Sequence, residues 1–132
     1  ALAPYNIYTY NYPSSSLASN VPVSIVGMKS QDITLDQGTN GVAPNSFSYN
    51  SITNWKLVAT NIMPTANKSI TVKIIPTAST NGTYVFADAM LITNGVNTYV
   101  IDNNATNTGG FNLTGTWTQQ AGGYANTNSY LT

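Results

Sequence analysis

Few side chains in this sequence can do chemistry. Its 132 residues include four lysines (Lys29, Lys56, Lys68, Lys73), four aspartates (Asp32, Asp36, Asp88, Asp102) and no His, Cys, Arg or Glu. Acyl transfer by a base-activated nucleophile draws on His, Cys or a tuned acid, so its usual constellations cannot be assembled. Glycoside hydrolysis needs two cooperating carboxylates, and Asp88 and Asp102, approached through an intervening hairpin, are the plausible pair. Asp88 stands between Ala87 and Ala89 in an apolar stretch. Burial there demands hydrogen-bond partners or costs on the order of several kcal/mol. The favoured role for Asp88 and Asp102 is therefore structural, tying strand ends together. The loop DQGTNG at 36–41 offers oxygens from Asp36, Thr39 and Asn40, but it lacks the acidic density of a Ca²⁺ site. A Lys–Asp or Lys–Asn crosslink at Lys73, near Asp88, lacks an evident third acid. No enzyme, cofactor or metal centre is expected.

Aromatic residues offer a different chemistry, since nine tyrosines and two tryptophans can stack on sugars or anchor an interface. Alternation along 5–12 places Tyr8, Tyr10 and Tyr12 on one face and Tyr5 and Ile7 on the other. With Tyr5 and Ile7 toward a core, the three tyrosines form an exposed stripe, a platform for a glycan or for a second subunit. The alternative is an inner strand covered on both faces. Trp55 and Trp117 occupy alternating strand positions that read as core.

The elements that must position these residues are strands. Residues 21–28 alternate around Val23 and Ile25. Strand 33–35 runs into DQGTNG, and strand 55–60 follows a polar loop. At 70–74, Ile70, Val72 and Ile74 oppose Thr71 and Lys73, the pattern of a half-buried antiparallel strand. Phe111, Leu113 and Trp117 share a face. Segments 83–92 and 98–102 flank Asn94-Gly95, a tight-turn signal because both residues tolerate positive φ. No helical period of ten residues and no internal repeat occurs. Pro13, Pro22, Pro44, Pro64 and Pro76 fall at or near strand ends, where a missing N–H costs little. The stretches 14–20, 38–51 and 103–110 read as loops. The fold class is all-β: an antiparallel β-sandwich of jelly-roll type with eight or nine short strands in one domain, 1–132.

Hydrophobic residues make up 42% of the chain and charged ones only 6%, with a formal net charge of zero. Four scattered lysines cannot grip a phosphate backbone, which excludes nucleic acid as a partner. No apolar run reaches the length of a membrane span, and no basic segment precedes an apolar one as in a leader peptide. Without cysteine there is no disulfide framework. A near-uncharged surface rich in Asn, Thr and Ser suits an extracellular or cell-surface protein that assembles. The start at Ala1 suggests a processed chain or a piece of a longer one. Sequons begin at Asn67, Asn81, Asn104 and Asn112 and matter only where the source glycosylates its surface proteins.

Several segments together resemble the golvesin C-terminal-like domain, a module also found in xanthan-lyase-type and other secreted bacterial proteins and described as carbohydrate-binding-like. YVIDNN…GGFNLTGTWTQQAGGYANTNSYL (99–131) is similar to that family's first half, with its V-D-N start, G-T-W-T strand and G-Y…Y-L end. PYNIYTYNY (4–12) resembles its next strand. ITLDQGTNG followed by NWKLVATN resembles its V-D-Q…W-x-x-L-G segment, with Ala59 in place of Gly and a longer insertion. NGTYVFADAMLI resembles its closing strand, with Met90 and Leu91 replacing the usual pair. These motifs cover most of the chain, but in permuted order: the family's opening third follows its closing strand.

Three arrangements accommodate that order. Residues 98–132 fold back on a main body of 1–92, or they complete a neighbouring subunit, or the sequence is a window cut out of register from a tandem array. The leading functional expectation is a non-catalytic, self-assembling unit, a fibre subunit or surface repeat. Strand donation would then work through Tyr99, Ile101, Phe111, Leu113 and Trp117, making another copy of the chain the expected partner. A glycan-binding accessory module of a secreted enzyme or adhesin, with a polysaccharide partner, is the alternative that the resemblance and the tyrosines imply.

Overall fold

A computed structural model describes residues 4–10, 17–38, 55–67, 69–75, 84–87, 89–101, 118–120 and 129–131. Among these, every regular element is a strand: β1 (Tyr5–Tyr10), β2 (Val21–Val26), β3 (Ser30–Leu35), β4 (Trp55–Ile62), β5 (Thr71–Ile74), β6 (Phe86–Ala87), β7 (Met90–Thr93), β8 (Thr98–Ile101), β9 (Thr118–Gln120) and β10 (Ser129–Leu131). They form a four-stranded sheet in the order β4-β1-β7-β8 and two three-stranded sheets, β3-β2-β5 and β6-β10-β9. The ladders within them are antiparallel. The expected antiparallel β-sandwich is the architecture observed. Its expected jelly-roll order depends on connections that run through residues outside the described set.

Binary patterning explains how two of the sheets pack. Val21, Val23 and Ile25 point inward from β2 and are fully buried, while the intervening residues are not. On β5 the same alternation half-buries Val72 and Ile74 and leaves Thr71 and Lys73 exposed. These side chains meet Ile7 of β1, Val58, Ala59 and Ile62 of β4, and Met90 and Ile92 of β7 in one aliphatic core. Burying residues of this size is worth about 1.5–3 kcal/mol each, and among the described residues this is the larger of the two buried clusters.

The four-stranded sheet is covered on its second face as well. Tyr8, Tyr10, Trp55 and Leu91 form a separate buried cluster with Leu17 and Ala89. Leu91 pairs with Tyr8 on one side and Val100 on the other. Tyr10 meets Trp55 edge-on at 5.8 Å between ring centroids, a geometry that the ring quadrupoles favour. The exposed tyrosine stripe expected on this strand is thus corrected for Tyr8 and Tyr10, which are 8% and 7% exposed. The reason is packing: on that face Tyr8 and Tyr10 cluster with Leu17, Trp55, Ala89 and Leu91, while β1 lies between β4 and β7 in its sheet. Tyr12 lies outside the described residues.

Strand β4 is two residues longer than the strand it faces. Its register against β1 slips between Tyr5 and Ile7 and again between Ile7 and Tyr8, each slip placing an extra residue on β4, as a β-bulge does. One slip lets the consecutive residues Val58 and Ala59 face the same core. Near the other, Asn61 adopts a φ of 62°, a conformation Asn tolerates better than most residues. Its N–H donates to Oδ1 of Asn6 at 3.3 Å.

Two expectations about element boundaries are revised. The strand expected over 83–92 is two elements. Phe86 and Ala87 pair with Leu131 and Tyr130 of β10, whereas Met90–Thr93 pair with β1 and β8. In addition, β3 begins at Ser30, so Gly27–Lys29 make a hairpin that sequence reading passed over.

Candidate functional site

Distinctive geometry gathers at the end of the four-stranded sheet where β7 turns into β8. Sequence reading centred this turn on Asn94-Gly95, but the positive φ falls only at Gly95, at 89°, so the turn is centred on Gly95-Val96. Glycine at the first central position is the signature of a type II′ hairpin. Asn94 donates its N–H to the Asn97 carbonyl at 3.1 Å. Its side-chain Oδ1 accepts from the N–H groups of Val96 at 2.9 Å and Asn97 at 2.7 Å. The Gly95 N–H donates to Oγ1 of Thr93 at 3.1 Å, and that hydroxyl bonds the Thr98 hydroxyl at 2.8 Å across the strands. Asn and Thr side chains thus take over turn hydrogen bonds that a backbone alone would leave to water.

This turn borders an open recess of about 400 Å³ lined by Pro4, Asn6, Tyr8, Thr93, Asn94, Gly95 and Thr98. The lining holds amides, hydroxyls and a ring, with no carboxylate or amine. Such a surface can hydrogen-bond a neutral polar ligand, but it has no group suited to moving protons near neutral pH. On the sheet's other face, Tyr5 and the 55% exposed Tyr99 lie 6.5 Å apart between ring centroids.

A second polar site joins the sheets at the far end of β3. Lys56 is only 7% exposed, and its Nζ donates to the main-chain oxygen of Asp36. Burial pushes the Lys56 ammonium below its ordinary value of 10.5, against the opposing pull of Asp36. Asp36 in turn accepts the Gly38 N–H through Oδ1 at 2.8 Å, a local turn bond of the kind its sequence position implies. Gln37 is buried, and its N–H reaches the Ala18 carbonyl at 2.9 Å.

The structure places the expected site residues unevenly. Tyr99 and Ile101 lie on β8, paired with Ile92 and Met90 of the same chain. Trp55 is core, as expected. Phe111, Leu113, Trp117, Asp88 and Asp102 lie outside the described residues. Lys73 is exposed on β5, paired with Ser24. Sequence reading missed buried Lys56, whose polar type in a strand of alternating residues reads as solvent-facing. It also missed the pairing of Tyr5 with Tyr99, which lie far apart in sequence and which only the β1-β7-β8 order brings together. No family model matches the chain, and no curated protein or solved structure does either. The likeness to the golvesin C-terminal-like domain rests on the residues quoted for it.

Proposed function

We propose that this chain is a non-catalytic, extracellular structural unit that associates with copies of itself through the segment 98–132. The observation that carries the reading is β8. Among the described strands it ends its sheet, it contains no charge or proline, and it leaves Tyr99 exposed. Natural sheets usually protect an edge with lysine, proline or a bulge, and an unprotected edge pairs readily with another chain. Support also comes from the way 98–132 is held. Its described strands touch the body through the β7–β8 and β10–β6 ladders. The same pairs can form between two copies when the 94–97 turn opens, which is the route of strand exchange.

Removing 98–132 tests this reading. The truncated chain is expected to be unstable alone and to recover when a peptide of that sequence is added. A truncated chain that stays folded and monomeric by light scattering would overturn it.

Glycan binding is a second reading, favoured by the uncharged recess beside Asn6 and Thr98. It no longer draws on an exposed tyrosine stripe, since Tyr8 and Tyr10 are buried and Tyr8 contributes only to the wall of the recess. Retention on a polysaccharide panel, lost in Thr98→Ala with folding intact, would support it. Absence of retention on every glycan would sink it.

A further inference from the structure

The β7–β8 turn holds reactive chemistry that neither assembly nor ligand binding uses. We propose that Asn94 is a site of self-modification, at which the turn promotes closure of the Asn94 side chain onto the Gly95 nitrogen. In this reaction the Gly95 nitrogen attacks Cγ of Asn94, the new N–Cγ bond closes a five-membered imide, and the side-chain nitrogen leaves as ammonia. The Gly95 nitrogen loses one proton to solvent and the departing ammonia gains one from it. Water then opens the imide at either carbonyl, leaving aspartate or isoaspartate at position 94 and releasing a proton. Water is the only co-reactant, and it reaches the turn, because Gly95, Val96 and Asn97 are exposed.

Three features of the turn serve these steps. Attack on Cγ drives negative charge onto Oδ1, where the N–H groups of Val96 and Asn97 already donate at 2.9 and 2.7 Å. Two preorganised backbone donors on an oxygen that gains charge make an oxyanion hole. The Gly95 N–H, which must be given up, points at Oγ1 of Thr93, and that hydroxyl bonds the Thr98 hydroxyl, a path for the proton toward solvent. Finally, no described residue stands within 4 Å of where a Gly95 side chain would be, so the turn is open to the water that hydrolyses the imide.

The product matters to the fold. Aspartate at 94 makes a chain of zero formal charge anionic, and its carboxylate would strengthen the two N–H bonds to it. Isoaspartate lengthens the backbone by one carbon inside a turn that sets the register of β8 against β7.

The sequence supplies internal references, because Asn40-Gly41 and Asn81-Gly82 carry the same dipeptide. The test follows conversion at Asn94, Asn40 and Asn81 by peptide mapping, in the folded chain and in the chain unfolded in urea, at the same pH and temperature. Asn94 is expected to convert faster folded than unfolded, and Thr93→Val is expected to slow the folded rate several-fold without changing the unfolded one. Thr98→Val, which keeps the Thr93 hydroxyl, is expected to slow it less and covers the case in which Thr93→Val does not fold. A folded rate at or below the unfolded rate overturns the proposal, and so does a folded rate indifferent to both threonines.

Discussion

The β2–β3 and β7–β8 hairpins are built from similar parts and are held in opposite ways. At the first, Met28 donates its N–H to the Met63 carbonyl at 2.8 Å. A side-chain carbon at Gly27 would collide with that same carbonyl and press on Ile62. The far end of β3 is tied to β4 again where Lys56 donates to Asp36. The second hairpin closes its hydrogen bonds within residues 93–98, and its glycine faces open space. Gly27 is required because the chain packs closely there, whereas Gly95 is required because the backbone turns with positive φ. The first hairpin is anchored to another sheet. The second is a self-supported joint, and that is what a strand able to pair within its chain or with a neighbour needs.

Substitutions that separate anchored from self-supported structure sharpen the contrast. The largest effect is expected at Ile25, fully buried on β2, where Ile25→Ala should cost about 2–5 kcal/mol in urea unfolding. Tyr99→Ala on β8 should cost less than about 0.5 kcal/mol, as exposed positions do. Comparable losses at the two sites would break the comparison. Next is Gly27→Ala, expected to destabilise by about 1–3 kcal/mol because the Met63 backbone just beyond β4 must shift to admit the methyl group. Gly95→Ala should cost about 1 kcal/mol, since it meets only the penalty of positive φ and not a clash. A Gly95 effect as large as that at Gly27 would mean that the second turn is packed after all.

The smallest effect is expected at Lys56 and shows in pH dependence. Its folded pKa lies below 10.5, so between the folded value and 10.5 the unfolded chain binds more protons. Stability contributed by this group therefore rises with pH across that window and is reduced below it. Lys56→Met should flatten this part of the stability–pH profile, measured by urea unfolding at several pH values. A profile unchanged by the substitution would show that the ammonium is not desolvated.

Much of the anchored half was legible in the sequence. The alternation around Val23 and Ile25 and that of Ile70, Val72 and Ile74 reports a strand with one buried face, and both elements appear, although β2 ends at Val26 rather than Met28. Strand β3 was read short because Ser30, Gln31 and Asp32 are exposed, so no buried face writes a period into them. Tyr8 and Tyr10 were ambiguous for a related reason. Alternation shows that two residues share a face, but only the tertiary packing on that face shows whether it is covered. The division of 83–92 between two sheets was hidden because the residues on both sides of Asp88 are apolar, and an apolar segment serves a strand in either sheet equally well. The turn was visible as Asn94-Gly95, yet the side chains of Asn94 and Thr93 moved its centre by one residue. At the site, the types of residue were legible and their juxtaposition was not, as Tyr5 beside Tyr99 shows.

Light scattering of the intact chain across a wide concentration range tests the central claim most directly. Self-association predicts particles heavier than the 14.0 kDa chain, growing with concentration and lost when Tyr99→Lys puts a charge on β8. A single 14.0 kDa species at every concentration would contradict it.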